Sequence, residues 1–191
     1  MKRRKILALF LAMAMLSVIL TSCGNSNGND PSSDDGGGEF DYTIGFCDYQ
    51  TCEFTMLMRQ GIQEVCDKYN ADLKVLDARY DGATQLSQVE NFISQGVDAI
   101  ILAPCDKDAL VPAVDYCKEA NMPLVVVNCA LNTDEEYYYV GPNDVQAGEL
   151  EADYLLSLLD YAGNVCVLEC RTGTSYQIDR AEGIKNITDQ Y

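Results

Sequence analysis

Short apolar segments that resemble strands alternate with amphipathic segments from residue 42 to residue 191. The apolar segments are rich in Val, Ile and Leu and are bounded by turn residues, as buried strands usually are. The first four begin near residues 42, 72, 98 and 123, so that one βα unit fits into each interval. This spacing predicts an α/β fold with a doubly wound parallel sheet. The predicted strands are Tyr42–Cys47, Leu73–Leu76, Asp98–Ala103, Leu124–Asn128 and Asn164–Cys170.

Helices are predicted between these strands because apolar residues there recur at three- and four-residue spacing. The stripes cover residues 54–69, 86–93, 110–117 and 145–158, and a last helix is expected over residues 176–191. Asn70, Gly96 and Asn121 follow three of the stripes, and these residue types accept the left-handed conformation that ends many helices. Asp106 is expected to cap a helix that begins at Lys107.

The first 22 residues are predicted to be a secretory signal peptide. Four basic residues precede an apolar run from Ile6 to Leu20, which is shorter than the roughly 20 residues that cross a membrane. The ending Leu20-Thr21-Ser22-Cys23 resembles the bacterial lipobox, in which the cysteine becomes the lipid-modified first residue of the mature chain. Two acyl chains on Cys23 would anchor the exported protein stably at the outer or periplasmic face of the cell membrane.

Residues 23–41 are predicted to form a flexible tether. They consist mostly of Gly, Ser, Asn and Asp and contain almost no apolar residue. A chain of this composition behaves as a random coil with a reach of about 25 Å. The folded part is therefore expected to work clear of the lipid surface.

Composition excludes several classes of function. The chain has no histidine, which removes His-dependent catalytic triads and HExxH zinc sites. Its formal net charge of −17 disfavours nucleic acid as a partner. The first βα turn, Asp48–Glu53, has no glycine and cannot form a phosphate-binding loop of the GxGxxG or GxxxxGK type. No cofactor and no metal site are predicted.

The remaining cysteines are unusual for an exported chain. Eight are left when Cys23 is set aside for lipid, and no CxxC motif occurs. Several lie on predicted strands or helix stripes, so we expect mostly reduced core thiols. Cys47, Cys105 and Cys129 lie at the ends of predicted strands and could approach one another, so a disulfide or a soft-metal site remains an alternative.

From residue 42 onward the chain resembles the bacterial periplasmic sugar-binding proteins of the ribose- and galactose-binding group, which serve ABC transporters. The resemblance depends on the order of several short motifs over about 150 residues. They are Arg59-Gln60-Gly61, Gln95–Ile101 with Ala103-Pro104, Asn121–Asn128, Val140–Asp144 with Gly148, and Gly173-Thr174-Ser175 with Arg180–Gly183.

The resemblance implies two α/β lobes, joined by a hinge, that close around one sugar without converting it. Hydroxyl groups of the sugar would bond to Asp, Asn and Arg side chains, and aromatic rings would cover its C–H faces. The ligand in a parallel sheet lies beyond the carboxyl ends of the strands. The candidate ligand-binding residues are Asp48, Tyr49, Phe54, Asn128 and Arg180, and Tyr49 is chosen by position and ring type alone.

Several positions depart from the ribose binders. Thr55 stands where they have a second aromatic residue, and Asn128 stands where they have an aspartate. Cys129 and Ala103 replace an arginine and an asparagine and cannot make the same hydrogen bonds. The expected ligand is therefore a sugar or similar polyhydroxylated molecule other than ribose.

Each candidate also has a structural interpretation. Phe54 could belong to the core, Asn128 could simply end a strand, and Arg180 could pair with a neighbouring carboxylate. At the level of the whole protein, a sensor that signals to a membrane receptor or kinase is the alternative to import through an ABC permease. An enzyme with a cysteine nucleophile is a third hypothesis, although no histidine is present to activate it.

The resemblance also suggests a domain organisation. Residues 42–142 correspond to most of an N-terminal lobe, and residues 143–191 correspond to the beginning of a second, incomplete lobe. Family members have about twice as much folded chain. The sequence is therefore either a fragment of a longer protein or the product of a truncated gene that cannot close on a ligand, and we expect a fragment.

Overall fold

The computed structural model describes residues 40–191. The predicted signal peptide, the lipid site at Cys23 and nearly all of the tether lie outside the described residues. Five strands form one parallel sheet in the order β2-β1-β3-β4-β5. They are β1 (Tyr42–Asp48), β2 (Ala71–Asp77), β3 (Ala99–Leu102), β4 (Leu124–Val127) and β5 (Tyr138–Val140). The predicted α/β class with a parallel sheet is confirmed.

Five helices accompany the sheet within residues 40–191. They are α1 (Glu53–Lys68), α2 (Gly82–Gln95), α3 (Pro112–Glu119), α4 (Asp144–Leu158) and α5 (Ser175–Thr188). None of the helices described is long and apolar enough to cross a membrane.

Local signals in the sequence explain where the helices begin and end. The Asp81 carboxylate accepts a hydrogen bond of 2.6 Å from the backbone N–H of Thr84 and so caps α2, while Pro112 opens α3. The residues predicted to stop three helices have left-handed backbones, with φ values of 50° at Asn70, 68° at Gly96 and 53° at Asn121.

The core lies mainly between the sheet and helices α2 and α3. Gly45 of β1 lies directly against the ring of Phe92, and a side chain at this position would overlap that ring. The other face of the sheet packs against α1. The largest fully buried apolar side chains are Phe46, Phe92, Ile100, Leu102, Leu110, Val89 and Val126.

Two predictions of secondary structure are wrong. The segment Asn164–Cys170 forms no strand and is exposed along its length, because no neighbouring strand pairs with it among residues 40–191. The helix expected to begin at Lys107 begins at Pro112 instead. Asp106 does accept hydrogen bonds from the backbone N–H groups of Asp108 and Ala109, at 2.9 and 2.8 Å, but these close a turn before the helix.

Candidate functional site

The carboxyl ends of the strands define the candidate site. Strand β1 ends at Asp48, between the end of β2 at Asp77 and the end of β3 at Leu102. Strand β4 ends one residue before Asn128. Because all strands are parallel, the residues after these four ends meet at the same edge of the sheet, where ligands of open α/β sheets bind.

Asp48 is fully buried and is paired with Arg59 of α1. Its Oδ2 lies 3.3 Å from Arg59 Nη2, and its Oδ1 accepts a 3.2 Å hydrogen bond from the backbone N–H of Gln50. Burial raises the pKa of Asp48, and the hydrogen bonds and the Arg59 charge oppose that effect. Arg59 Nη2 also reaches Thr51 Oγ1 at 3.4 Å, while its buried Nε has no hydrogen-bond partner among the described residues. Asp48 therefore positions an arginine at the site.

Tyr49 is 5% exposed and packs against Tyr80, which follows β2. The two ring centroids are 5.0 Å apart, and the ring planes are inclined by 38°. The backbone N–H of Tyr80 donates a 2.7 Å hydrogen bond to the carbonyl of Tyr49. Burial raises the pKa of both hydroxyls, so these rings are neutral hydrogen-bonding groups across the physiological pH range.

Two residues from beyond α4 reach this tyrosine pair. The Arg171 guanidinium carbon lies 4.2 Å from the centre of the Tyr80 ring. Tyr176 of α5 lies near the Tyr80 side chain and, after burial, contributes to the raised pKa of Tyr80. The residues that follow β1 and β2 are thus in contact with the segment that leads into α5.

A buried glutamine holds the ends of β1 and β3 together. Gln85 of α2 donates hydrogen bonds from Nε2 to the carbonyls of Cys47 at 3.2 Å and Ala103 at 2.7 Å. Its Oε1 accepts from the backbone N–H of Cys105 at 2.9 Å. Gln85 thus provides the side-chain partner for the Ala103 carbonyl and the Cys105 N–H, while the Cys47 carbonyl also accepts a 3.0 Å hydrogen bond from the backbone N–H of Ala103.

Asn128 and Phe54 line one groove on the α1 face of the sheet, with a volume of about 650 Å³. Asn128 has a left-handed backbone with φ of 66°, which its residue type tolerates. Its backbone bonds to the carbonyl of Val140 and to the hydroxyl of Tyr139, but its side-chain amide has no hydrogen-bond partner among residues 40–191. Phe54 is 55% exposed at the start of α1. Asp48 and Tyr49 are not among the residues that line this groove.

Arg180 lies on α5 and is held by Asp144, the first residue of α4. Its Nε donates a 2.9 Å hydrogen bond to Asp144 Oδ1. Oδ2 of the same nearly buried carboxylate accepts from Ser175 Oγ at 2.8 Å, and Ser175 Oγ accepts from the backbone N–H of Ala130 at 3.0 Å. This series of bonds connects α4 and α5 to the segment after β4.

A second connection runs through Lys107, which follows β3. Its backbone N–H donates to the carbonyl of Gly173 at 2.7 Å, and its Nζ lies 2.6 Å from Asp179 Oδ1. Gly173 has φ of 106° and lies so close to the Asp106 carboxylate that a side chain would overlap it. The segment before α5 is therefore fixed against the ends of β3 and β4.

The thiols of the described part of the chain are free, and most are buried. Burial raises the pKa of Cys47 to about 12 and that of Cys105 and Cys117 to about 11. Burial also raises the pKa of Cys129, whose Sγ accepts a 3.2 Å hydrogen bond from the backbone N–H of Ser175. A thiol with a raised pKa is a poor nucleophile and a poor metal ligand. Residues 40–191 contain no group of three or more Cys, Asp or Glu side chains that could hold a metal ion.

Sequence reasoning missed the partners of the predicted residues. Only the fold brings Arg59 to Asp48 and Tyr80 to Tyr49. The fold also brings Arg171, which is distant in the chain, to the Tyr80 ring. Gln85 did carry a signal, because it lies on the same helix face as the apolar Val89 and Phe92. A polar residue on a buried face requires a hydrogen-bond partner.

Comparison with known proteins gives a consistent result. A family model described as a periplasmic binding protein domain matches residues 46–191. The chain is 36% identical over 148 residues to the xylitol-binding protein of Mycolicibacterium smegmatis, covering 78% of this chain and 42% of that protein. It is 27% identical over 188 residues to the ribose import binding protein of Bacillus subtilis, covering 98% of this chain and 61% of that protein.

A solved structure from Bacillus halodurans has the same fold. It is an ABC transporter solute binding protein with bound myo-inositol, and it aligns with a TM-score of 0.75 at 30% identity. The alignment covers 81% of this chain and 55% of that structure. The chain thus spans about half the length of the relatives that it matches.

Proposed function

Because the chain belongs to the periplasmic binding protein domain family, we propose that it captures a sugar or similar polyhydroxylated molecule outside the cytoplasm and delivers it to an ABC importer. The observation that carries this proposal is the family match over residues 46–191, the part of the chain that forms the sheet and the candidate site. The relatives named above are binding proteins, and we propose that this chain likewise binds its ligand without converting it.

The candidate site supports a polyhydroxylated ligand. The free amide of Asn128 can bond to two adjacent hydroxyls, and the terminal amino groups of Arg180 remain available because only Nε is held by Asp144. Phe54 offers an exposed ring face to the C–H side of a sugar, and we propose that the buried Tyr49 contributes by supporting the Tyr80 ring. We propose that Asp48 contributes through Arg59, since its own carboxylate is fully buried. Xylitol, ribose and myo-inositol are the first ligands to test.

A thermal-shift screen of the full chain against these three compounds and a panel of other pentoses, hexoses and polyols tests the proposal. A ligand that binds only the native state raises the melting temperature in proportion to the logarithm of its excess over Kd. We expect at least one compound to raise the melting temperature by several degrees at millimolar concentration. The proposal fails if the chain melts cooperatively and no compound in the panel shifts the transition.

A role in sensing is the alternative to import, because the same kind of domain could present its bound conformation to a receptor or kinase. Deletion of the gene separates the two roles. Import predicts that uptake of the radiolabelled ligand is lost and that it returns with the wild-type gene. Unchanged uptake combined with a lost transcriptional response to the ligand would favour sensing.

We also propose that the protein is a lipoprotein attached through Cys23, which would place it at the outer or periplasmic face of the membrane. Two acyl chains are sufficient for stable anchoring. Cells that express the full chain should incorporate labelled palmitate into it and retain it in the membrane fraction. Cys23→Ala should abolish both. Equal labelling of the Cys23→Ala variant would contradict the anchor.

A further inference from the structure

The loop between β2 and α2 holds two consecutive residues in an unusual backbone conformation. Arg79 and Tyr80 have φ values of 51° and 59°, in the left-handed region that non-glycine residues seldom occupy. Hydrogen bonds fix both residues: the backbone N–H of Arg79 donates to Asp77 Oδ1 at 2.7 Å, and that of Tyr80 donates to the carbonyl of Tyr49 at 2.7 Å. Strain that the surroundings enforce in this way is concentrated at functional sites.

The strained loop places the Tyr80 ring beside Tyr49 at the carboxyl edge of the sheet. One side of the Tyr80 ring is therefore occupied by another ring, at 5.0 Å between centroids. Arg171 lies over the ring, with its guanidinium carbon 4.2 Å from the ring centre. The two tyrosines and the arginine form a cluster of contacts that links the end of β1 to the segment before α5.

The Arg171 side chain is not otherwise held, although its backbone carbonyl accepts a 3.2 Å hydrogen bond from Thr174 Oγ1. The side chain is exposed, and its guanidinium has no carboxylate or carbonyl partner among residues 40–191. The cation–π contact is the one interaction of the guanidinium within these residues, and an exposed contact of this kind is weak. A saturated ring with C–H groups on its face could therefore displace the guanidinium from the Tyr80 ring.

We infer that the Tyr80 ring and the Arg171 guanidinium are a specificity-determining part of the binding site, and that they select ring-shaped polyols over linear ones. This inference rests on the proposed function. The C–H face of a cyclic polyol takes the place of the guanidinium on the Tyr80 ring. The displaced guanidinium, with five N–H donors, then bonds to hydroxyl groups at the edge of the ligand.

Two variants separate the roles of the pair. Tyr80→Leu removes the ring and keeps an apolar side chain, whereas Arg171→Gln removes the charge. Tyr80→Phe retains the ring and is expected to bind almost as wild type. Matched controls are Arg79→Gln, which removes the adjacent positive charge, and Tyr154→Leu, which removes an exposed tyrosine on α4.

Isothermal titration calorimetry of the full chain with myo-inositol, ribose and xylitol tests the inference. We expect wild type to bind a cyclic compound more tightly than xylitol. Tyr80→Leu and Arg171→Gln should each raise the Kd for the cyclic compound about 10-fold, which is the upper range for one ring or cation–π contact. The Kd for xylitol and the Kd values of both controls should change less than twofold. Circular dichroism and melting temperature verify that each variant is folded.

Three results would overturn the inference. The first is a wild type that prefers xylitol, and the second is a cyclic compound whose Kd stays within twofold in both Tyr80→Leu and Arg171→Gln. The third is an equal loss of affinity for the cyclic compound in Arg79→Gln, which would show that the effect of Arg171→Gln depends on positive charge alone. If wild type binds none of the compounds in this assay or in the wider screen, the proposed function itself fails, and the inference fails with it.

Discussion

A single buried polar residue, Gln85, holds the ends of two strands together. Gln85 is fully buried and bonds to three backbone groups from the ends of β1 and β3, as described above. An apolar residue of similar size would leave the Ala103 carbonyl and the Cys105 N–H buried without partners, whereas the Cys47 carbonyl would keep its 3.0 Å hydrogen bond from the backbone N–H of Ala103. Each unsatisfied group costs about 1–3 kcal/mol.

We therefore expect Gln85→Leu to lower the free energy of unfolding by about 2–4 kcal/mol, as measured by urea denaturation. The matched control is Gln60→Leu on the exposed face of α1, which should change it by less than about 0.5 kcal/mol. Equal stability of Gln85→Leu and wild type would show that these hydrogen bonds contribute nothing.

The cysteines give a second prediction at this scale. Cys166 and Cys170 are exposed, Cys52 is half-buried, and the other five described cysteines are buried. Iodoacetamide at pH 8 should modify Cys166 and Cys170 first, because reaction requires an accessible thiolate and burial raises the pKa of the core thiols. Mass spectrometry after a short exposure to iodoacetamide identifies the cysteines that are modified. Early modification of Cys47 or Cys117 would contradict the burial described here.

At the scale of elements, α4 and α5 depend on reciprocal glycine contacts. Gly148 of α4 lies against the backbone carbonyl of Arg180, and Gly183 of α5 lies against the backbone carbonyl of Val145. A Cβ at either position would overlap the opposite backbone. The two helices can therefore pack this closely only because both positions are glycine. The contact is between main chains and cannot be relieved by turning a side chain.

We predict that Gly148→Ala and Gly183→Ala each destabilise the protein by about 1–3 kcal/mol, the usual range for overpacking. Gly61→Ala in α1 is the control, because nothing lies within 4 Å of its added Cβ. It should stabilise the protein by about 0.5–1 kcal/mol through better helix propensity. Urea denaturation of the three variants measures the difference in sign, and stabilisation by all three would refute close packing of the two helices.

The cap of α2 makes stability depend on pH. Hydrogen bonds from the side chain and backbone of Thr84 lower the pKa of Asp81 below its ordinary value of 3.8. A lowered pKa in the folded state stabilises the protein above the ordinary pKa, and this contribution is lost as the pH falls through the folded-state value. Asp81→Ala should therefore melt below wild type at pH 7, and the gap should narrow below about pH 4.

Asp81→Asn is the control for this cap. It retains an oxygen that can accept the hydrogen bond and has no carboxyl group to titrate. Its melting temperature at pH 7 should lie closer to wild type than that of Asp81→Ala. A gap between wild type and Asp81→Ala that is the same at pH 7 and pH 3 would contradict the role of the charged cap.

Elements were predictable from the sequence where a local signal decides them. The pattern of apolar residues and the turn residues that bound it were sufficient to predict β1 to β4. The residue types at Asn70, Gly96 and Asn121 were sufficient to predict three helix ends. The segment Asn164–Cys170 has the composition of a strand, but a strand also requires a neighbour, and composition does not supply one. The predicted ends of β1 and β4 identified Asp48 and Asn128 as candidate residues. Their contact partners, such as Arg59 for Asp48, could not be predicted because they depend on tertiary structure.

At the scale of the whole molecule, the described residues 40–191 belong to one compact unit. The division into lobes at residues 142 and 143 stays a prediction. The ends of β3 and β4 are joined to the segment before α5 by Lys107, Gly173, Ser175 and Asp179. Any hinge motion between the two predicted lobes would have to break these contacts.

A crystal structure of the full chain grown with its tightest-binding polyol tests the central claim most directly. We predict that the unmodified compound lies beyond the carboxyl ends of β1 to β4, with hydroxyl groups bonded to Asn128 and a C–H face on the Tyr80 ring. Electron density for the compound elsewhere on the molecule, or for a chemically altered product at the strand ends, would contradict the account.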